Sequence, residues 1–257
     1  MKNSTLEEQH RLQQNPSGTE LKIIPLLLGN GKLAKHLHYY FHLLNLPHKH
    51  FENARDLESP ELLRKLEGVN AVWILTSDRS IAEIKVKLEA QSKKITENHL
   101  WIHSSAATDV EGMITLHPLM TFGQDLYSLE QYQKIPFAII GPENIENLLP
   151  FQNPIFFISP EQRALYHAYA VAMSNLPILL WSMTTEMAKM NLNLDAATFD
   201  PILNQTLANY THHRKSALTG PIARNDQVTI DKNLNALQGS ALAKIYESFL
   251  ITKGANP

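Results

Sequence analysis

The segment Gly29-Asn30-Gly31-Lys32-Leu33-Ala34 fits the pattern G-x-G-x-x-A, and each position has a physical task in holding a dinucleotide. Gly29 makes a tight turn, Gly31 lets backbone approach a pyrophosphate, and Ala34 keeps the following helix close to a sheet. A helix opening near Lys32 aims free N–H groups at phosphate oxygens. The hexapeptide gains weight from its setting, because an apolar run precedes it and helical spacing follows. Thr76 and Ser77, ending a later strand, join the expected cofactor set. Further on, Glu52, Asn53 and Arg55 bear on the choice between NAD and NADP. An acidic residue there holds a ribose 2′-hydroxyl, and an arginine accepts a 2′-phosphate. The two point in opposite directions; the reading leans to NADP through Arg55, with NAD open.

Two histidines could move protons. His117 follows an apolar strand and precedes Pro118, which restricts it to extended backbone and aims its ring consistently. Imidazole has a pKa suited to giving up a proton near neutrality, so His117 is nominated as proton donor or substrate-orienting group. His103 ends another strand at the edge where such sheets bind ligands. Ser174 and Asn175 form a polar pair inside an apolar helix and need partners, either ligand or neighbouring helix. Arg224 could grip a substrate carboxylate or phosphate bidentately, or make an exposed salt bridge. His38 and His42 stand four apart, but no carboxylate or cysteine joins them, so no metal site is expected.

These residues need elements to carry them. Ile23–Leu28 reads as a covered parallel strand, with Pro25 placed at its start, and Lys32–Leu44 as an amphipathic helix. The alternation repeats with strands at His48–Asn53, Asn70–Thr76, Leu100–His103, Met113–Leu116, Pro136–Ile140 and Ile155–Ile158. Helices fall at Pro60–Leu66 and around Ile81, Ile84 and Leu88, the latter offered caps by Ser77 and Asp78. Such alternation predicts an α/β Rossmann-type doubly wound sheet, mostly parallel. From Ser159-Pro160-Glu161-Gln162, a capping-box start, the chain reads as helix over Pro160–Asn191, Asp200–Ser216 and Asp226–Lys253. The expected division is therefore a flexible tail over 1–20, a dinucleotide-binding domain over 21–159, and an all-α domain over 160–257. Asp226 is read first as the N-cap of the last helix.

Composition removes whole classes of function. Across 257 residues, 44% are hydrophobic and 19% charged, as in ordinary globular enzymes. The net charge of −2 offers no basic field for nucleic acid or anionic lipid. No cysteine is present, which excludes disulfides and thiolate chemistry and suits a reducing cytoplasm, the expected location. The first twenty residues lack the apolar core of a signal peptide. Leu165–Met183 is apolar but holds His167, Ser174, Asn175 and Pro177, so a buried helix is expected rather than a membrane span. Neither a G-x-S-x-G elbow nor a P-loop is found.

The stretch Leu116-His117-Pro118-Leu119-Met120-Thr121-Phe122 resembles the L-H-P-x-x-x-F signature of one bacterial family, which pairs a Rossmann-like domain with a C-terminal helical domain (domain of unknown function 2520). Three further segments are similar to it: His103-Ser104-Ser105, Met173-Ser174-Asn175, and Leu218-Thr219-Gly220-Pro221-Ile222-Ala223-Arg224-Asn225-Asp226. Together the matches run from about Lys22 to Leu250. The resemblance implies a C-terminal domain like that of 6-phosphogluconate dehydrogenase, and kinship with pyrroline-5-carboxylate and ketopantoate reductases. It further implies catalytic roles for His117, His103 and Asn175, substrate contacts for Ser104, Ser174 and Arg224, and a homodimer. Two positions depart from the family pattern, Ser105 and Asn225 standing where glycines are usual. Ser105 would narrow the cofactor cleft, whereas asparagine tolerates left-handed backbone.

The expected activity is an NAD(P)-dependent oxidoreductase, moving a hydride to or from a small carbonyl, hydroxy or imino acid in a cleft between domains. The alternative is a Rossmann protein that binds or senses a nucleotide without turnover. Histidines able to supply a proton favour the enzyme; the missing lysine or glutamate of better-known dehydrogenases favours the sensor.

Overall fold

The computed structural model describes residues 22–96 and 98–253; the expected tail over 1–20 lies outside the described residues. Seven strands form one sheet: β1 (Pro25–Leu28), β2 (Lys49–Phe51), β3 (Ala71–Ile74), β4 (Leu100–His103), β5 (Ile114–Pro118), β6 (Phe137–Ile140) and β7 (Ile155–Phe157). Their order is β2-β1-β3-β4-β5-β6-β7, and every neighbouring pair is parallel except β5 with β6. Helices α1 (Lys32–Leu43), α2 (Pro60–Leu66), α3 (Asp78–Thr96) and α4 (Leu129–Gln133) lie between them in sequence. The Rossmann-type α/β architecture is thus present, and Pro25 opens β1, where its missing N–H breaks least of the ladder.

Strand periodicity explains how the sheet is buried on both faces. Leu27, Trp73 and Ile102 point to one side, where they pack with Leu37, Tyr40 and Phe41 of α1. Leu26, Leu28, Val72, Ile74 and Trp101 point to the other, against Leu62 and Leu66 of α2 and Ile81 and Leu88 of α3. Leu26, Leu27 and Leu28 are all fully buried. Each such leucine contributes about 1.5–3 kcal/mol relative to leaving it in water. A continuous apolar run is what a strand covered twice requires.

The described residues divide after Ala170 rather than at Ser159. The long helix α5 (Arg163–Leu192) begins in the first unit because its opening turns are tied to the sheet. Arg163 donates to the Thr108 carbonyl at 2.7 Å and to Thr115 Oγ1 at 2.9 Å. The expected capping box forms ahead of it, Ser159 N–H donating to Gln162 Oε1 at 3.2 Å. The second unit holds the remainder of α5 with α6 (Asp200–His213), α7 (Gly220–Arg224), α8 (Gln227–Ala236) and α9 (Ala241–Lys253).

The single helix expected over Asp226–Lys253 is two. The chain leaves α8 at Leu237, turns through Gly239 at φ 80°, and restarts where Ser240 Oγ accepts the Ala243 N–H at 3.2 Å. Asn225 adopts φ 55° and closes α7, and Asp226 caps α8 by accepting the Thr229 N–H. Left-handed backbone suits glycine and asparagine better than other residues. Among the described residues, no helix is long and apolar enough to cross a membrane.

Candidate functional site

The carboxyl ends of β1, β3 and β4 open into a cavity of about 990 Å³. Four stretches line it: Gly29 to Leu33, Glu52 to Arg55 with Leu57, Ile74 to Asp78 with one face of α3 as far as Lys87, and the pair Ser104 and Ser105.

The glycine turn is built as the sequence pattern demands. Gly29 sits at φ 143°, and a Cβ there would run into the carbonyl oxygen of Leu75. Its N–H donates to the Phe51 carbonyl at 2.9 Å, which joins the turn to the end of β2. Gly31 is different: a Cβ would meet nothing within 4 Å, so its surroundings are open space on the cavity side. Ala34 is fully buried under the sheet, as the close helix packing requires, and does not line the cavity. Asn30, Lys32, Leu33, Asn53, Arg55, Thr76 and Ser77 all line it. Glu52 and Arg55 both line the same wall, so the structure keeps both candidates for the ribose within it.

A histidine cluster underlies the turn. His50 on β2 donates from Nε2 to the Gly29 carbonyl at 2.8 Å. His38 of α1 has its Nδ1 2.8 Å from His48 Nε2, and its ring lies 4.6 Å from that of His50. Burial, then neighbouring histidine charges, push the His38 pKa down; burial does the same to His48. His38 therefore partners a histidine across the fold and not His42. Among the described residues no group of three or more His, Asp or Glu is arranged to hold a metal ion.

His103 requires a correction. It is fully buried inside the sheet and does not line the cavity. Its Nδ1 accepts the Ser105 N–H at 3.2 Å, which places the ring proton on Nε2, 3.1 Å from Thr115 Oγ1. Burial, with the Arg163 charge, lowers its pKa to about 4. It stays neutral at pH 7 and holds up the Ser104–Ser105 wall instead of meeting a substrate. Ser104 does line the cavity. Trp73 Nε1 donates to its Oγ at 2.8 Å, while Oγ donates to the Leu116 carbonyl at 2.8 Å. Ser105 tightens the loop, its Oγ accepting the Thr108 N–H at 3.1 Å.

His117 lies within β5, not beyond it, at the same carboxyl edge as β4. It is half-buried, and its Nδ1 is 2.6 Å from Tyr166 Oη on α5. Burial, and then the charge of His167, lower the His117 pKa to about 4; burial raises Tyr166 to about 12. A histidine with that pKa is neutral at pH 7 and carries a single ring N–H there. Tyr166 and Arg163 were not singled out by the sequence. Their spacing of three puts both on one helix face, and a helix start that carries a tyrosine and an arginine on its sheet-facing side was the available signal.

Ser174, Asn175 and Arg224 belong to the second unit. Ser174 Oγ donates to Asn175 Oδ1 at 2.9 Å, and Arg224 is exposed. That unit also has an apolar cavity of about 270 Å³, walled by Trp181, Phe199, Leu203 and Phe249 among others.

Residues 146–250 match the model of a family described as Domain of unknown function (DUF2520), and the resemblance read from the sequence holds. None of the curated proteins matches the chain. Solved structures do. Over 90% of its length the chain is similar to 98% of a candidate NADP oxidoreductase from Bacteroides fragilis, with a TM-score of 0.69 and 21% identity. An imine reductase from Streptomyces aurantiacus aligns over 90% of this chain and 95% of its own, at TM-score 0.59 and 12% identity. A 1-pyrroline-5-carboxylate reductase from Streptococcus pyogenes aligns over 90% and 96%, at TM-score 0.55 and 15% identity. At these identities the likeness is one of fold: a Rossmann-type sheet followed by a helical region.

Proposed function

We propose that this protein binds a nicotinamide dinucleotide in the cavity at the Gly29-Asn30-Gly31 turn and acts as an oxidoreductase on a small carbonyl, hydroxy or imino acid. One observation carries the reading. The cavity at the sheet's carboxyl edge is floored by a glycine turn with open space at Gly31 and flanked by the end of β2. The structural neighbours, which include reductases of imines and a candidate NADP oxidoreductase, support it.

The residues present fit such a group. Backbone N–H groups after Gly31, at the start of α1, would face the pyrophosphate, and the absence of a side chain at Gly31 leaves it room. Arg55 would meet a 2′-phosphate, making NADP the favoured form, while Glu52 would serve NAD. Thr76 and Ser77 would border the pyrophosphate on the β3 side, and Ser104 would contact the substrate end. When bound, the reduced nicotinamide supplies a hydride; the chain must supply the accompanying proton. The second unit exposes Met173, Leu176, Leu179, Ile202 and Phe249, an apolar burden that suits a homodimer.

The test is NADPH fluorescence titration of the wild type and of Gly31→Asp. The substitution fills open space, so the fold should survive while a carboxylate enters the phosphate seat and binding is lost. Equal binding by the two proteins would remove the assignment. One observation supports the non-catalytic reading: His103, one of the two candidate proton donors, is fully buried and does not line the cavity. That reading gains if NADPH binds but no carbonyl or imino acid is reduced in a broad screen.

A further inference from the structure

We propose that His117 and Tyr166 form a proton-delivering pair, in which Nδ1–H of His117 donates to the Tyr166 oxygen and the phenolic O–H is free to turn towards a substrate C=O or C=N. The inference rests on the dinucleotide reading above and deepens it by naming the source of the proton.

The geometry is that of a made bond. Nδ1 and Oη are 2.6 Å apart, and the rings meet edge-on at 84° with centroids 5.5 Å apart. Both side chains are half-buried, so the bond is shielded without being sealed. Nε2 of His117 makes no hydrogen bond among the described residues and is not buried, which leaves it able to exchange protons with water.

Two links connect the pair to the cavity. Ser104 lines the cavity, and its Oγ donates to the carbonyl of Leu116, the residue immediately before His117. Asp78 lines the cavity as well, and its charge is felt at His117, as is that of His167 from α5. The pair therefore sits one strand beyond the Ser104–Ser105 wall, on the same sheet edge.

The lowered His117 pKa keeps the ring neutral at pH 7, carrying one N–H. With that N–H on Nδ1, the phenol oxygen accepts one bond and keeps its own proton available. The step then balances. With a hydride supplied to the substrate carbon by a bound reduced nicotinamide, the π pair would move to the substrate oxygen or nitrogen, and Tyr166 would give that atom its proton. The phenolate is reprotonated from Nδ1 as Nε2 takes a proton from water. The net change is one hydride from the cofactor and one proton from solvent. A purely structural bond, with Tyr166 pinning α5 to β5, makes no use of this order.

The decisive experiment needs no substrate. Protein carrying ¹³Cζ-tyrosine is titrated from neutral to alkaline pH alone, with NADPH and with NADP⁺, and the Tyr166 resonance is assigned by its loss in Tyr166→Phe. If Tyr166→Phe does not fold, His117→Asn identifies the resonance by the one it displaces. A proton donor beside the reacting carbon feels the positive nicotinamide ring, so NADP⁺ should lower the Tyr166 pKa by about one pH unit or more relative to NADPH. Identical titrations with both forms, at saturating binding, overturn the pair as donor and leave dinucleotide binding intact. If neither form binds, the dinucleotide reading falls first and this inference falls with it.

Discussion

His50 holds the glycine turn from beneath, its Nε2–H donating to the Gly29 carbonyl at 2.8 Å. The same turn is held from the strand side by the Gly29 N–H on the Phe51 carbonyl. Successive residues of β2 thus fix both polar groups of Gly29, one through a side chain and one through backbone. Removing the side chain leaves a carbonyl to find water.

For His50→Ala, the expected outcome is weaker NADPH binding together with a modest loss of overall stability. A net hydrogen bond of this kind is worth roughly 1 kcal/mol, or about fivefold in affinity. Isothermal titration at constant salt reads it directly. An affinity unchanged within error means the turn is held by β1 and α1 without help.

Arg55→Ala should weaken NADPH far more than NADH. Arg55 lies on the cavity wall just past β2, where a 2′-phosphate would lie. Loss of a charge-assisted contact costs about 1.5–3 kcal/mol, so the NADPH/NADH preference should fall by roughly ten- to a hundredfold. A preference that stays put assigns the ribose to Glu52 and the cofactor to NAD.

The two lowered histidines make stability depend on pH. His103 and His117 have folded pKa values of about 4 against an ordinary value of 6.5. Between those limits the unfolded chain binds more protons than the folded one, so stability is complete above pH 6.5 and falls as pH drops towards 4. Fully buried His103 alone accounts for a loss of about 3 kcal/mol over that window. Proton NMR of the histidine rings should show two that do not titrate above pH 5. Two ordinary curves centred near 6.5 in their place would contradict the burial of both rings.

Dimerisation should be visible without any ligand. Sedimentation or light scattering at micromolar concentration is expected to give twice the chain mass of 29.1 kDa. A charged residue at Leu179, which is 64% exposed, should shift the population to monomer if that face is the interface. A single-chain mass for the wild type across the concentration range removes the proposal.

What the sequence disclosed depended on how local the cause was. Apolar runs such as Ala71-Val72-Trp73-Ile74 carry their own signal, because a strand covered on both faces has no polar side. The turn at Gly29 was equally plain, since its φ and the nearby Leu75 carbonyl leave room for glycine alone. The break between α8 and α9 was missed: Gly239 was present, but the apolar spacing of its flanks outweighed one glycine. The strand end at His103 was legible, but the direction of its side chain was not. His103 ends β4 in the sequence, yet its side chain turns inward and is claimed by Ser105 and Thr115. Tyr166 carried only the faint local mark of its spacing from Arg163, because its partner lies on a strand forty-nine residues earlier in the chain. Contacts of that span are set by tertiary packing and leave no periodicity behind.

Trp73 is 1% exposed, and its indole N–H ends on Ser104, a residue of the cavity wall. An indole so enclosed emits at short wavelength, in the band that a reduced nicotinamide absorbs. The protein thereby carries its own optical gauge: a dinucleotide arriving in the cavity should quench Trp73 by energy transfer, and the oxidised form, which does not absorb there, should leave it bright.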